Sequence, residues 1–307
     1  MATTETITTT YAGEHAGKYI SAALLTADSI VNGAVSVMPN IKYQSVISKL
    51  DLSSIQADAT CDFTEIGTVT LAERILTPKS LQVNMKLCKQ NYRDTWEAIS
   101  MGYSAHDSLP PSFAEYLIGL VAAQVAANNE TNIWSGATGN SGEFNGLEVL
   151  LASNAAQAAG LELAGTTVTA ANVVAQIASV IDAAPVALYN KPGFGVRIGS
   201  NIARHFKQAQ AALGAYDAFY EREAGMNFLG IPLIVCPGMT DDVMIATYAD
   251  NLWFGTGVLN DTNLVKVIDT ADTLGDENVR IVMRFTAGTQ FGNGEDIVTY
   301  GITNGSN

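Results

Sequence analysis

The most regular pattern of apolar and polar positions runs from Pro110 to Gly136. Phe113, Leu117, Leu120 and Val121 recur at helical steps, Val125 extends the stripe, and Ala122, Ala123, Ala126 and Ala127 place small side chains on the other faces. Pro110 and Pro111 break whatever precedes, while Ser112 and Glu115 stand at the spacing of a capping box. The pattern predicts a helix over 112–135, on the order of 35 Å long at ~1.5 Å per residue. Gln124 interrupts the apolar run, which falls short of the ~20 residues a bilayer span needs. The helix reads as a buried spine.

Ahead of it the pattern differs. The first ten residues are almost all Thr, Ala and Glu, too polar to bury, and read as an extended arm. Ile20 to Val37 is alanine-rich and predicts a short helix ended by Pro39. From Tyr43 to about Asn91 the period shortens to two: Val46 and Ile47 mark one strand, Val69 and Leu71 another, and Leu81, Val83, Met85 and Leu87 share one face of a third. Few apolar residues lie between Ser53 and Thr64, so this is a long hairpin that is over-exposed unless a partner covers it.

After the spine comes a connector rich in Gly, Asn and Ser, Gly136 to Gly146, then a mixed segment. Thr169 is the expected cap of a helix burying Val173, Ile177, Val180 and Ile181. Val186–Tyr189 and Gly195–Ile198 read as short strands, and the stretch from Ser200 as a helix. The runs containing Gly230–Val235, Met244–Gly257, Asn263–Asp269 and Asn278–Phe291 complete the strands. Helices and strands alternate irregularly, without the βαβ repetition of a doubly wound sheet, so the fold class is α+β.

Composition narrows the function. The 307 residues are 48% hydrophobic, enough for one large domain or two. Sixteen bases against thirty acids give a net charge of -14, the wrong sign for a protein that wraps nucleic acid tightly on its own surface. Residues 1–110 hold eleven acids and eight bases, 241–307 ten acids and three bases, an asymmetry suited to self-association between a mixed-charge arm and an acidic body. Cys61, Cys88 and Cys236 are too few and too scattered for a disulfide framework or zinc site. No secretory leader pattern opens the chain, which predicts that it stays in the cytoplasm of the cell that makes it.

Motifs for chemistry are weak. His15, His106 and His205 are far apart, so no local metal-ligand pair forms. Gly102–His106 looks like a nucleophile elbow, but Ala105 stands where the second glycine belongs. The loop Gly136–Gly146 lacks the Lys-Ser/Thr of a phosphate loop. Asp269, Asp272, Asp276 and Glu277 do not match calcium-loop spacing and read as a solvated turn. Asp241 with Asp242, and Glu295 with Asp296, are paired carboxylates following turn residues, with no basic residue beside them in sequence. Neither a catalytic residue, a cofactor site nor a metal site is expected.

The order of arm, long hairpin, spine helix, α/β body and closing strands resembles the major capsid protein of tailed double-stranded DNA phages, the Hong Kong 97-type fold. The resemblance rests on Ala72–Ser80 followed by Leu81–Asn84, on the spine running into Trp134–Leu147, on Gly230–Val235, on a single strand Met244–Gly255 and on the returning strand Asn278–Gly288. It implies an N-terminal arm at 1–42, an extended E-loop at 43–93, a peripheral domain at 94–146 and 263–307 holding spine helix 112–135, and an axial domain at 147–262. It also implies a structural, non-enzymatic protein that self-assembles into an icosahedral shell of hexamers and pentamers around phage DNA. Implied partners are a portal protein, a separate scaffold and a possible decoration protein, with no membrane; the implied location is the virion, assembled in the bacterial host cytoplasm. Phe113, Leu117, Leu120 and Val121 would form the spine's core face.

Some members of that family join subunits covalently through an E-loop lysine, and the matching position here is Arg74. Arginine cannot form that bond, so a non-covalent shell is expected, with Arg74 paired to a neighbour's carboxylate; Lys79, the second expected inter-subunit contact, lies close enough to keep the question of a covalent link open. Two other readings stay open at this point. One is an encapsulin-type compartment of the same fold; the other is a soluble hydrolase using the paired carboxylates or the Ser104/His106 turn.

Overall fold

The computed structural model describes residues 28–52, 55–56, 58–59, 61, 65–88, 111–154, 160–212, 226–257, 265–271 and 275–302, with the side chains at 111–117 and 120 left out. In chain order, a helical turn α1 (Asp28–Val31) leads to strands β1 (Ser36–Met38), β2 (Ser45–Leu52), β3 (Val69–Leu76) and β4 (Lys79–Cys88). Helices α2 (Pro111–Ser135) and α3 (Leu147–Ala152) follow, then β5 (Glu162–Leu163), α4 (Val173–Asp182), α5 (Val186–Tyr189), β6 (Phe194–Ile198) and α6 (Ser200–Ala212). Strands β7 (Asn227–Phe228), β8 (Ile231–Val235), β9 (Met244–Tyr248), β10 (Leu252–Thr256), β11 (Val265–Asp269), β12 (Asn278–Phe291) and β13 (Val298–Tyr300) complete the order.

These strands make three sheets. In the first, β12 is central: β4 pairs antiparallel along one edge, β11 and β10 line the other, and β1 joins β10 in parallel. The second is six-stranded in the order β5-β13-β9-β6-β8-β7. The third is the hairpin β2–β3 alone.

Period-two alternation on β12 explains the first core. Val279, Ile281, Met283 and Phe285 point inward and share a cluster with Ile118, Val121, Val125, Ile133 and Trp134 of α2. The second core packs Val173, Ile177, Val180 and Ile181 of α4, and Ile202 and Phe206 of α6, with Val196, Ile198, Leu233 and Tyr300 of the six-stranded sheet. One strand serves both: on β9, Ile245 belongs to the first core while Met244 and Ala246 belong to the second. The cores do not divide at a single point in sequence, because β10 lies in the first sheet and the late strand β13 in the second.

Several local expectations shift. Helix α2 begins at Pro111, one residue before the expected cap Ser112, which is within the usual fraying of helix ends. Helix α4 begins at Val173, not beside Thr169, because Asn172 takes the N-cap position and its side chain accepts from the Thr169 amide at 2.7 Å. Val186–Tyr189, expected as a strand, is a helical turn: Pro185 carries the fixed φ suited to a helix start, and its carbonyl accepts the amides of Leu188 and Tyr189. Of the expected helix in Ile20–Val37, the described part is helical only over Asp28–Val31 before β1 begins at Ser36.

Candidate inter-subunit surface

Residues opposite one another on β2 and β3 share a face, so the register sorts the hairpin into two sides. One side carries Ile47 opposite Arg74, Lys49 opposite Ala72, and Ser45 opposite Leu76. It is fastened to its own chain. Leu76 is fully buried, the Arg74 guanidinium stacks 3.9 Å from the Phe291 ring centroid and donates to Asn154 Oδ1 at 3.1 Å, and Lys49 Nζ meets Glu295 Oε2 at 2.7 Å. At the corner into β4, Lys79 Nζ donates to the carbonyls of Thr138, Asn140 and Glu143 at 3.2, 3.4 and 2.7 Å, tying the hairpin root to the loop after the spine.

The other side carries Val46 opposite Ile75, Leu50 opposite Leu71, and Leu52 opposite Val69, with one polar pair, Ser48 and Glu73, between the first two; the six apolar residues form its stripe. All six are exposed, Leu50 to 62% and Leu71 to 70%. A two-stranded sheet with an uncovered apolar face is marginal by itself, and each such side chain gains about 1.5–3 kcal/mol when covered. Among the described residues nothing covers this stripe.

The expected contact residues are thus both at the hairpin root and engaged within their own chain, with burial lowering the Arg74 pKa. Val121 is buried on the spine; Phe113, Leu117 and Leu120 lie on the same helix, their side chains outside the described set. Three of the four paired carboxylates are held by partners within the chain. Glu295 and Asp296 each meet a base remote in sequence, Lys49 and Lys191, which corrects their reading as lacking a basic partner. Asp242 accepts from the Val168 amide at 2.9 Å. Asp276 accepts from the Thr270 hydroxyl, and among the described residues no three His, Cys, Asp or Glu side chains converge as metal ligands. Cys236 is buried, its thiol pushed up to about 12 by desolvation, while Cys61 is exposed. Ser104, His106, His15 and Asp272 lie outside the described residues. Among the described residues no helix is long and apolar enough to cross a membrane.

Sequence reasoning missed a buried polar seam between the cores. Glu130, on the spine, accepts from the Ser29 amide at 3.1 Å, from its hydroxyl at 2.5 Å and from the Gly238 amide at 3.3 Å, and Trp134 donates to the same Ser29 hydroxyl at 2.7 Å. Glu148 on α3 accepts from the Thr240 amide at 2.9 Å and hydroxyl at 2.5 Å. Gly238 has to be glycine, because a Cβ there would collide with the Glu130 carbonyl. Arg197, fully buried on β6, donates to the carbonyls of Ala34 at 3.2 Å, Gly195 at 2.9 Å and Thr247, and desolvation lowers its pKa to about 10. The available signal was the presence of acids or an arginine inside otherwise apolar elements, which demands buried partners.

No protein-family model and no curated protein matches the chain. Solved structures do. The capsid of a native GTA particle aligns over 99% of this chain and 95% of its own at 12% identity, with a TM-score of 0.60. The satellite phage P4 procapsid, a structure that includes the size determination protein Sid, aligns over 93% and 99% at 10% identity and 0.54, and Mycobacterium phage Che8 over 98% and 94% at 12% and 0.51. Coverage of nearly both whole chains means that hairpin, spine and both sheets are matched together, so the chain has the α+β fold of a phage capsid protein.

Proposed function

We propose that this chain is the major shell subunit of a phage-type capsid, self-assembling into hexamers and pentamers that close an icosahedral particle around double-stranded DNA. The observation that carries the reading is the hairpin's uncovered apolar face on a chain of capsid fold. In this reading residues 1–42 are the arm, 43–93 the E-loop laid across a neighbour, 94–146 and 263–307 the peripheral domain, and 147–262 the axial domain at the hexamer and pentamer centres. The acidic net charge suits a container that holds packed DNA without adhering to it. Portal, scaffold and decoration proteins would be separate chains, and the role requires no catalytic centre.

Electron microscopy with mass determination on the chain expressed alone, at several ionic strengths, tests this. Closed shells, tubes, hexamers or pentamers support it; a chain monomeric under every condition, including with a co-expressed scaffold, sinks it. Particles filled with protein cargo in place of DNA would move the reading to a nanocompartment. Arg74 at the E-loop root makes the shell non-covalent, so boiled, reduced particles should run as one monomer band, and a ladder of linked subunits would contradict that part.

A further inference from the structure

The segment by which the N-terminal residues enter the body is gripped at both ends by buried charged side chains from different elements. Helical turn α1 stops in a crossed pair of bonds: the Ala34 amide donates to the Ser29 carbonyl at 2.9 Å and the Gly33 amide to that of Ile30 at 3.2 Å, with Gly33 in the left-handed region at φ +67°. At the amide end stands Glu130 of the spine, accepting from the Ser29 amide and hydroxyl, while Trp134 Nε1 donates to the same hydroxyl. At the carbonyl end stands Arg197 of β6, whose Nε donates to the Ala34 carbonyl at 3.2 Å. An acid at the amide end and a base at the carbonyl end is the sense that the dipole of a helical turn favours. Ser29, Ala34, Trp134 and Arg197 are fully buried, and Glu130 nearly so. Neither Glu130 nor Arg197 is ion-paired among the described residues, so each depends on neutral partners.

We propose that residues 28–34 are a two-ended latch, closed only while the spine and the six-stranded sheet hold Glu130 and Arg197 in register, an inference that stands apart from the shell-forming reading. One turn of helix is too short to hold itself in water, so its shape is imposed by what grips it. Among the described residues the turn supplies two of the three hydrogen bonds that Glu130 accepts, the third coming from the Gly238 amide. It also supplies one of the three that Arg197 donates, and Arg197 Nη2 has no partner to spare. Opening the turn therefore strips bonds from a buried acid and a buried base at once. A half-open state strips one of them and still breaks the Ala34-to-Ser29 bond that joins the ends, so both ends open together. Displacing either the spine or β6 frees the segment, and drawing the segment out loosens the junction of spine and sheet. By linkage, what Glu130 contributes to the Arg197 end equals what Arg197 contributes to the Glu130 end.

Two side-chain N–H groups report the ends separately in the full-length chain: Trp134 Nε1–H, held by Ser29, and Arg197 Nε–H, held by Ala34. Nuclear magnetic resonance reads the solvent exchange of each. Glu130→Gln should speed exchange of Arg197 Nε–H at least ~5-fold, and Arg197→Met should do the same for Trp134 Nε1–H, although neither side chain bonds the group it affects. The amide of Ile281, on the central strand β12, should keep its rate, which separates opening of the latch from unfolding of the chain. Gly33→Ala strains the turn from within, because φ is positive while a Cβ there meets nothing within 4 Å. Both reporters should speed up together in it, and Gly33→Asn, whose side chain tolerates that backbone, should fall between Gly33→Ala and wild type. Circular dichroism checks folding, and Gly33→Ala carries the test alone if either of the other variants is unfolded. A smaller change at either remote reporter, equal acceleration at Ile281, or a Gly33→Ala chain loosened at one end only overturns the proposal. A chain that never assembles would fail the shell reading and leave the latch standing.

Discussion

The β2–β3 hairpin and the six-stranded sheet are built from similar side chains and put them to opposite use. On β6 all five residues, Phe194 to Ile198, are buried, and β9 lends one face to each core. On the hairpin the inner side is held to its own chain largely by Arg74, Lys49 and the buried Leu76, while Val46, Leu50, Leu52, Val69, Leu71 and Ile75 face outward uncovered. Strand propensity cannot distinguish the two regions. What separates them is the covering layer: α4 and α6 cover the sheet from within the chain, whereas none of the described residues covers the hairpin's outer face. Apolar residues in the sheet stabilise the single chain; those on the hairpin add little to it while they stay uncovered.

Substitution on each side separates these roles most strongly. Ile198→Ala on β6 should destabilise folding by about 2–5 kcal/mol through the cavity it leaves, read by urea unfolding of dilute protein. Leu50→Ser with Leu71→Ser should change folding by less than about 0.5 kcal/mol, since both residues are exposed, yet abolish particles in sedimentation. Loss of folding in the hairpin pair, or normal shells from it, would erase the contrast.

The join between the regions gives a smaller effect. Lys79 holds three carbonyls of the loop 138–143, and Glu143 in that loop is held below the usual carboxylate range by the Ala137 amide, then Asn140, with Lys79 contributing least. Lys79→Met keeps the length of the side chain and removes the donor, so unfolding stability should drop by about 1–3 kcal/mol. A variant as stable as wild type would show that the hairpin root is carried by Leu76 packing alone.

What could be read from sequence follows the same division. Alternation and helical spacing are local, so α2 and the buried set of α4 were legible from Val121, Val173, Ile177 and Val180, the face of β4 from Leu81, and β12 as a strand without its inward face. The exposed hairpin was legible because its apolar positions lacked any local partner. Partners remote in sequence were not: Lys49 with Glu295, Lys191 with Asp296, and Ser29 with Glu130 are brought together by topology, and no spacing encodes them. Lys86 and Arg280 likewise become neighbours only through the β4–β12 register. Val186–Tyr189 was misread because four apolar residues fit a strand or a helical turn equally well, and Pro185 decides.

The mildest perturbation tests the seam between the cores. Glu148 is buried on α3 beside the first core, and its Thr240 partner lies in the turn leading to β9 of the second sheet. Desolvation raises its pKa above the ordinary 4.5, against the hydrogen bonds from Thr240, which favour the charged form. At pH below 4.5 the carboxyl is protonated in folded and unfolded chains alike, so no charge is buried; as pH rises through the folded value, the folded chain has to bury one, and that stability is lost. Glu148→Gln carries no charge at any pH and keeps an acceptor for the Thr240 amide. Urea unfolding of the dilute L50S/L71S chain, with and without E148Q, should therefore show the Gln variant gaining stability relative to its parent as the pH rises from 4.5 to 7. A flat difference would mean that the Thr240 bonds fully offset desolvation, and a difference of opposite sign would make Glu148 a clamp that works only when charged.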